Sequence, residues 1–599
     1  MPPGSHSPIL QPERLRRLYI DALESRAEAI LASGHPGGRF GTEPWIVRDQ
    51  DVILPLALLY KFGPEHRKGN PELLGTIAAA GCYLRERQDA RGMYLFNKKD
   101  GSEWGMIFMP WTYLRWMITY DLLADDLAEE DRQTWEEGLR LGYAGISETE
   151  LSSSSNIYPG PLPGQAPPPK GEFIPWIHNI PCHHAAGLYL AGKRFGREDW
   201  MSQARSYQHQ VVAAQSPHGW WTEHSGPVVL YNRVYLEALA IYFQYSGDPV
   251  VGDALRRGNT FHLHFTYPDG SSIETIDERN PYPPIEYKTE ADGSPRWLPR
   301  LMFPHPGLYA SADGVVLLKR LLDALEARGA RDLDNAEYLF LCLPDGGLPE
   351  GAAGAPASQY AMGDKALVVN EGPWTLCLSA YCATRTPNRF IQDRQNLVSV
   401  FHRDLGIILG GGNTKIQPLW STMTVGDTRL VSPAGSTRET DLAPETALSY
   451  VPYTAVIVGE GGRGVGLTIG TGGALLRIGL RVISDNALEW KVCLEKAAPD
   501  GSEVANHLTF IRYPESPVIF SDRSSADLGM DGWSRSGLEW IGHHGWRLTL
   551  PSAARISWPV LPHNPYTGDG KAAWNEGRLV VTLPFEREGD TFTLHLSRE

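Results

Sequence analysis

The spacing of apolar residues changes once along this 599-residue chain. Up to about residue 350 they recur every three or four positions, the period of a helix with one buried face. Leu114, Met117, Ile118 and Leu122 share such a face, and so do Val315, Leu318, Leu322 and Leu325, after which Gly329 offers a stop. The pattern predicts helices near 11–33, 51–62, 71–88, 111–124, 129–146, 182–194, 199–214, 230–246, 249–264 and 312–328. Loops rich in Gly, Pro and aromatics join them, which describes helical hairpins without a strict repeat.

Beyond that point the period is two. Leu476, Ile478, Leu480 and Val482 face one way with Arg477 and Arg481 opposite, Ser484-Asp485-Asn486 turns the chain, and Leu488, Trp490, Val492 and Leu494 return. Phe592, Leu594 and Leu596 close the chain in the same manner. Many such strands with Gly, Pro and Asp turns predict an antiparallel β-sandwich. The expected fold class is therefore α+β and multidomain: a helical domain over 1–350, then a sandwich over 351–599, linked by the small-residue run from Gly351 to Ser358. The Ser/Pro/Gly stretch from Ser152 to Gly171 reads as a loop of the helical domain, not as a boundary.

Composition narrows the function classes. Hydrophobic residues make up 42% and charged residues 21%, a globular composition. A net charge of −15 argues against binding nucleic acid or an anionic bilayer by bulk electrostatics. Six scattered cysteines without a CxxC pair indicate neither a disulfide framework nor a thiolate metal site. The first residues lack the charged start and apolar run of a signal peptide, so the expected location is cytoplasmic.

Polar side chains gather in loops that border helices. The first cluster runs Trp176-Ile-His178-Asn179-Ile-Pro-Cys-His183-His184. A helix beginning near Pro181 puts His178 and Asn179 at its mouth, with Asn179 and His183 four apart on one side. An amide donor beside an imidazole suits carboxylate binding and proton transfer, whereas Asn179 as a helix cap is the structural alternative. The second cluster is Trp220-Trp221-Thr-Glu223-His224, followed through Gly226-Pro227 by Tyr231, Asn232, Arg233 and Tyr235. Tyr231 lies nearest the polar loop and is the candidate for chemistry, although a tyrosine stripe at helical spacing serves equally as core. The third cluster, Tyr267 to Tyr282, carries Arg279, whose planar fork suits a carboxylate. His402 ends a predicted strand. Trp104, Trp176, Trp220 and Trp221 have ring faces suited to stacking on sugars, and tryptophan serves equally as a large core residue.

Helical hairpins followed by an antiparallel sandwich, with an Asn/His loop and a tyrosine some fifty residues later, resemble the polysaccharide lyases built from an (α/α) toroid and a C-terminal β-sandwich, the heparinase II/III-like and alginate-lyase-like group. The residues that carry the resemblance are Asn179 with His183 or His184, the stretch from Glu223 to Tyr231, and His402. It implies β-elimination at a uronic acid. Asn179, with Arg233 or Arg279, would neutralise the carboxylate; an imidazole or Tyr231 would take the C5 proton; and Tyr231 would protonate the leaving oxygen. Here His178 precedes Asn179, whereas several relatives have adjacent Asn-His, so His183, His184 and His178 all stand as candidate bases. His178, Trp176, Trp221, Glu223, His224 and His402 would contact an acidic poly- or oligosaccharide. The glycine run Gly410–Gly412 does not match the metal-site pattern of some members, so no metal or other cofactor is expected. Two alternatives remain: a toroid glycoside hydrolase with a carboxylate pair drawn from Asp49, Asp51, Glu103, Glu223, Glu274 and Asp277, and a non-catalytic carbohydrate-binding protein.

Overall fold

The computed structural model describes residues 10–99, 101, 103–152, 155–158, 172–223, 226–273, 275–276, 285–289, 295–299, 301–302, 304–329, 333–349, 358–382, 396–410, 422–426, 454–460, 464–561, 574 and 577–599. Two compact units account for the chain. One takes in Met1–Gly219, Tyr231–Thr260 and Phe303–Ala353; the other takes in Trp220–Leu230, Phe261–Met302 and Gly354–Glu599.

The first unit is an (α/α) toroid, and its two rings differ in composition. The helices Ile53–Phe62, Pro110–Leu123 and Asn179–Phe195 are buried almost all the way round. A helix apolar on every side has to be enclosed by others, so these form the inner ring. Pro71–Arg87, Glu129–Gly145 and Glu198–Ala213 bury only a stripe and leave charged faces to solvent, as outer helices do. Tyr189 and Tyr242 carry the inner contacts on to Val229–Ser246 by an edge-to-face pair 5.0 Å apart. The ring closes where the Tyr309 hydroxyl donates to that of Tyr19, at 2.8 Å, on the first helix, Pro12–Ala32.

Small residues set how closely the rings approach. Gly138, Gly142 and Gly145 form a stripe along helix Glu129–Gly145. A methyl group added at each would lie 2.4 Å from Trp116, 2.1 Å from Tyr113 and 2.5 Å from Phe108, all buried aromatics of the inner layer. Helix ends follow ordinary capping. The Asn70 side chain accepts from the N–H groups of Glu72 (2.9 Å) and Leu73 (3.1 Å), and Ser311 caps Ala312–Ala327. Gly329 lies in the left-handed region at φ +61°, the stop that the sequence predicts. One start differs from expectation. The helix predicted near Pro181 begins at Asn179, and its cap is His178, whose Nδ1 accepts from the Ile180 N–H at 3.4 Å. Asn179 is therefore not the cap.

The second unit holds two antiparallel sheets. Among the described residues the first has ten strands. Its path is Trp533–Ser536, Arg555–Val560, Arg578–Phe585, Val504–Phe510, Gly406–Leu409, Val398–His402, Trp374–Ser379, Ala366–Glu371 and Gln359–Met362, and Met423–Val425 pairs beside Val504–Phe510. The second has nine and contains the predicted hairpin, Ala474–Ser484 against Ala487–Lys496, with Leu480 opposite Trp490. One core joins the facing sides of both sheets: Leu367, Val369, Leu376 and Leu378 from the first pack with Leu476, Ile478, Leu480 and Trp490 from the second. The alternating residues Ala366, Val368, Cys377 and Phe401 point the other way, against Phe261, Phe265, Tyr267 and Ile273. Period two delivers one set of side chains to each face, so the first sheet is buried on both. This second layer is why the segment Phe261–Met302, which precedes residue 350, belongs with the sheets. Among the described residues no helix is long and apolar enough to cross a membrane.

Ring spacing yields a paired prediction. Gly142→Ala forces a methyl group into the buried Tyr113 ring, an overpacking that costs about 1–3 kcal/mol. Gly75→Ala, on the exposed side of Pro71–Arg87 with nothing within 4 Å of the new methyl, gains up to about 1 kcal/mol of helix propensity. Thermal unfolding should move down for the first variant and up for the second.

Candidate active site

Several buried polar and charged residues of the inner helices meet. Asn179 opens helix Asn179–Phe195 and is buried, and among the described residues its amide Nδ2 has no hydrogen-bond partner. One turn later His183 is fully buried. Its Nδ1 lies 2.9 Å from the Asn179 carbonyl oxygen and its Nε2 lies 3.2 Å from Glu237 Oε1. The other oxygen of Glu237 accepts from the Asn335 amide, which also donates to the Pro304 carbonyl at 3.0 Å. Asn335 adopts φ +56°, a left-handed conformation that Asn tolerates better than most residues. The Trp111 ring stands 6.0 Å from that of His183 and carries the Arg48 guanidinium over it at 5.0 Å.

Beside this group lies an ion network. Arg115 donates to Glu337 at 2.9 Å and stands 3.9 Å from Asp51, which accepts from Thr112 (2.5 Å) and Arg48 (3.2 Å). Burial opposes the charge of Arg115, but Tyr338, Glu337, Asp51 and Glu237 together outweigh it and hold the guanidinium firmly protonated. A lone buried charge is costly, so these residues persist only as mutual partners. Asp49 is likewise committed, accepting from the Ile46 N–H (3.1 Å) and Lys99 (2.6 Å). Asp49 and Asp51 thus serve ion pairs and a helix start, not the free acid–base pair a glycoside hydrolase uses.

The two neighbouring histidines have different surroundings. Burial, aided by His183 beside it, pushes the His184 imidazole down to about 3, and among the described residues neither of its nitrogens has a hydrogen-bond partner. Burial and the adjacent Arg233 charge likewise bring His305 down to about 3. Both rings are neutral at physiological pH.

The remaining candidates belong partly to each unit. Tyr231 and Arg233 sit in the first turns of Val229–Ser246, Tyr231 half-buried and Arg233 at 1% exposure. The Trp176 indole donates to Gln210 at 2.9 Å and packs edge-on to Tyr207, so it borders the outer helix Glu198–Ala213. In the sheet unit Trp221 is 1% exposed and offers no open ring face there. His402 is buried, with Nε2 donating to the Asp485 carbonyl at 3.0 Å and Nδ1 accepting from the Asp404 N–H at 3.2 Å. Both nitrogens are used in holding turns, which leaves no lone pair for chemistry within that unit. Glu223 contributes backbone to the short strand Thr222–Glu223, and its side chain lies outside the described residues, as do His224, Glu274, Asp277 and Arg279.

Sequence reasoning missed Glu237, Arg115, Trp111, Glu337 and Asn335. A signal for the first two was present: each interrupts an apolar run, VYLEALAIYF and TYLRWMITY, and a charge on a buried helix face needs a partner.

Neutral burial of these histidines has a pH consequence. Unfolded, each takes up a proton near pH 6.5; folded, it resists protonation until about pH 3. The unfolded state therefore binds more protons between these limits, so folding stability is complete above pH 6.5 and falls on acidification. Between pH 6.5 and pH 5, His184→Gln should lose about 2 kcal/mol less than the parent protein, at roughly 1.4 kcal/mol per pH unit. Denaturant unfolding at the two pH values measures this.

No family model matches the chain, and no curated protein matches it in sequence. Solved structures do match. A mutant of the Streptomyces coelicolor A3 chondroitin AC lyase is similar at 14% identity and TM-score 0.54, over 99% of this chain and 81% of that one. A Paenibacillus xanthan lyase is similar at 11% identity and TM-score 0.55, over 99% of this chain, which spans only 58% of that enzyme. Heparinase III is similar at 12% identity and TM-score 0.52, over 99% and 86% of the two chains. At such identities the common property is the fold: this chain is built as these polysaccharide lyases are, an (α/α) toroid followed by an antiparallel β-sandwich.

Proposed function

We propose that this protein is a polysaccharide lyase that cleaves a uronic-acid-containing poly- or oligosaccharide by β-elimination and leaves a 4,5-unsaturated uronyl end. The observation that carries this reading is Asn179: a buried amide donor without a partner among the described residues, at the start of a 17-residue inner helix, in a fold shared with lyases. A helix N-terminus favours anions, and an unmet amide donor beside it suits one carboxylate oxygen. Neutralising that carboxylate acidifies the proton at C5 and stabilises the enolate-like charge that develops when it leaves.

Tyr231 is the group assigned to proton transfer. As phenolate it takes the C5 proton; the C–H electron pair becomes the C4–C5 double bond, the C4–O bond breaks, and the phenol returns the proton to the departing oxygen. No proton is gained or lost overall. An ordinary phenol titrates near pH ~10, so this role calls for positive neighbours, and Arg233 two residues on is the candidate. Support for Tyr231 over the imidazoles comes from their surroundings. His184 is a very weak base without access to solvent, and His183 has both nitrogens engaged. Arg279, Trp176, His178, Glu223 and His224 remain proposed substrate contacts.

A panel of uronic polysaccharides, followed at the near-ultraviolet absorbance of the unsaturated product, tests the reaction. A hydrolase releases sugar without that absorbance, and a binding protein releases nothing. Tyr231→Phe is expected to lower kcat by at least about 100-fold with substrate binding retained; full activity in this variant removes Tyr231 from the mechanism. Asn179→Ala is expected to lower kcat/KM by about 100-fold or more with little change in unfolding.

A further inference from the structure

We propose that His183 and Glu237 form a fixed imidazolium–carboxylate pair whose task is to position Asn179, so that His183 is a positioning residue and not the base. The consequence for Asn179 rests on the lyase reading; the pair itself does not.

The geometry leaves little choice about protons. His183 Nδ1 faces the Asn179 carbonyl at 2.9 Å and Nε2 faces Glu237 Oε1 at 3.2 Å. A carbonyl oxygen only accepts, so Nδ1 carries a proton. A neutral ring would then turn its one lone pair towards a carboxylate oxygen, two acceptors in contact. One further proton resolves the conflict, and its place is set by what surrounds Glu237. The second carboxylate oxygen already accepts from Asn335, and Arg115 adds positive potential nearby. Glu237 thus serves as acceptor through both oxygens, and the donor at Oε1 is the His183 Nε2–H. Among the described residues, the neutral His184 on its own helix and the Trp111 indole on helix Pro110–Leu123 also adjoin the ring. Neither competes for the proton.

The pair also explains a local constraint. Asn179 heads its helix, where the backbone N–H groups lack intrahelical partners. By donating back to the Asn179 carbonyl, His183 ties that first residue to a charge anchored on another inner helix, 54 residues away in sequence. The backbone that carries the unmet amide of Asn179 is thereby held in place, and a positive charge is stored one turn from where a substrate carboxylate would arrive.

Histidine-labelled 15N NMR of the full chain at neutral pH tests the pair, with His183 assigned by its absence in His183→Gln. Where that variant does not fold, the assignment falls to the one histidine that changes from charged to neutral in Glu237→Gln. Both ring nitrogens of His183 should be protonated in the parent protein and only Nδ1 in Glu237→Gln. A neutral His183 in the parent overturns the pair. On a cleaved substrate, Glu237→Gln should lower kcat at least tenfold with a smaller change in KM, and Glu237→Asp, which keeps the charge, should recover part of the loss. Unchanged kinetics in Glu237→Gln overturn the positioning role. Absence of any cleaved polysaccharide sinks the lyase reading alone, since the NMR result stands on its own.

Discussion

Charge cannot be buried alone, and that constraint organises the interior of the helical ring. Arg115, Asp51, Glu337, Glu237 and His183 come from inner helices and the loops between them, and each finds its counter-charge on a different segment. Burying such a group unpaired would cost several kcal/mol, so the pairings tie the inner helices into one angular arrangement. Apolar packing alone would be far less selective, because one leucine face fits another in many registers.

Two further devices serve the same precision. Along Glu129–Gly145 the glycine stripe lets the outer ring rest on Tyr113 and Trp116 without displacing them. Trp116 and Trp135 meet edge-to-face at 6.2 Å, a geometry that aromatic quadrupoles favour. Tyr113 and Trp116 share a helix with Trp111 and Arg115, so the same close contact that packs the rings also aims the polar groups inward. In the sheet unit the corresponding device is double burial. The first sheet joins the sandwich core by one face and the 261–276 layer by the other, with Tyr267 stacked on Phe401 at 4.6 Å.

The residues that the sequence singled out divide by how local their structural reasons are. Asn179, His183 and His184 could be placed on one helix by spacing, and the structure does bring Asn179 and His183 together. Their contact, however, is made through the backbone carbonyl, which side-chain spacing does not reveal. His402 stood out as a polar residue at a strand end, yet its nitrogens serve the Asp485 and Asp404 backbones. A histidine that satisfies two backbone groups looks the same in sequence as one that does chemistry.

Local order is what the chain by itself determined. Period 3.6 before about residue 350, period two after it, and glycine or asparagine at element ends reflect each residue's own preference and nearest neighbours, so they survive without knowledge of the rest. Even Glu237 and Arg115 announced that partners were needed. Tertiary structure alone decided who those partners were, because Glu237 meets His183 across 54 residues and Asn335 across 98, and Arg115 meets Glu337 across 222. Such meetings depend on how the helices close into a ring, and no residue's local preference encodes that geometry.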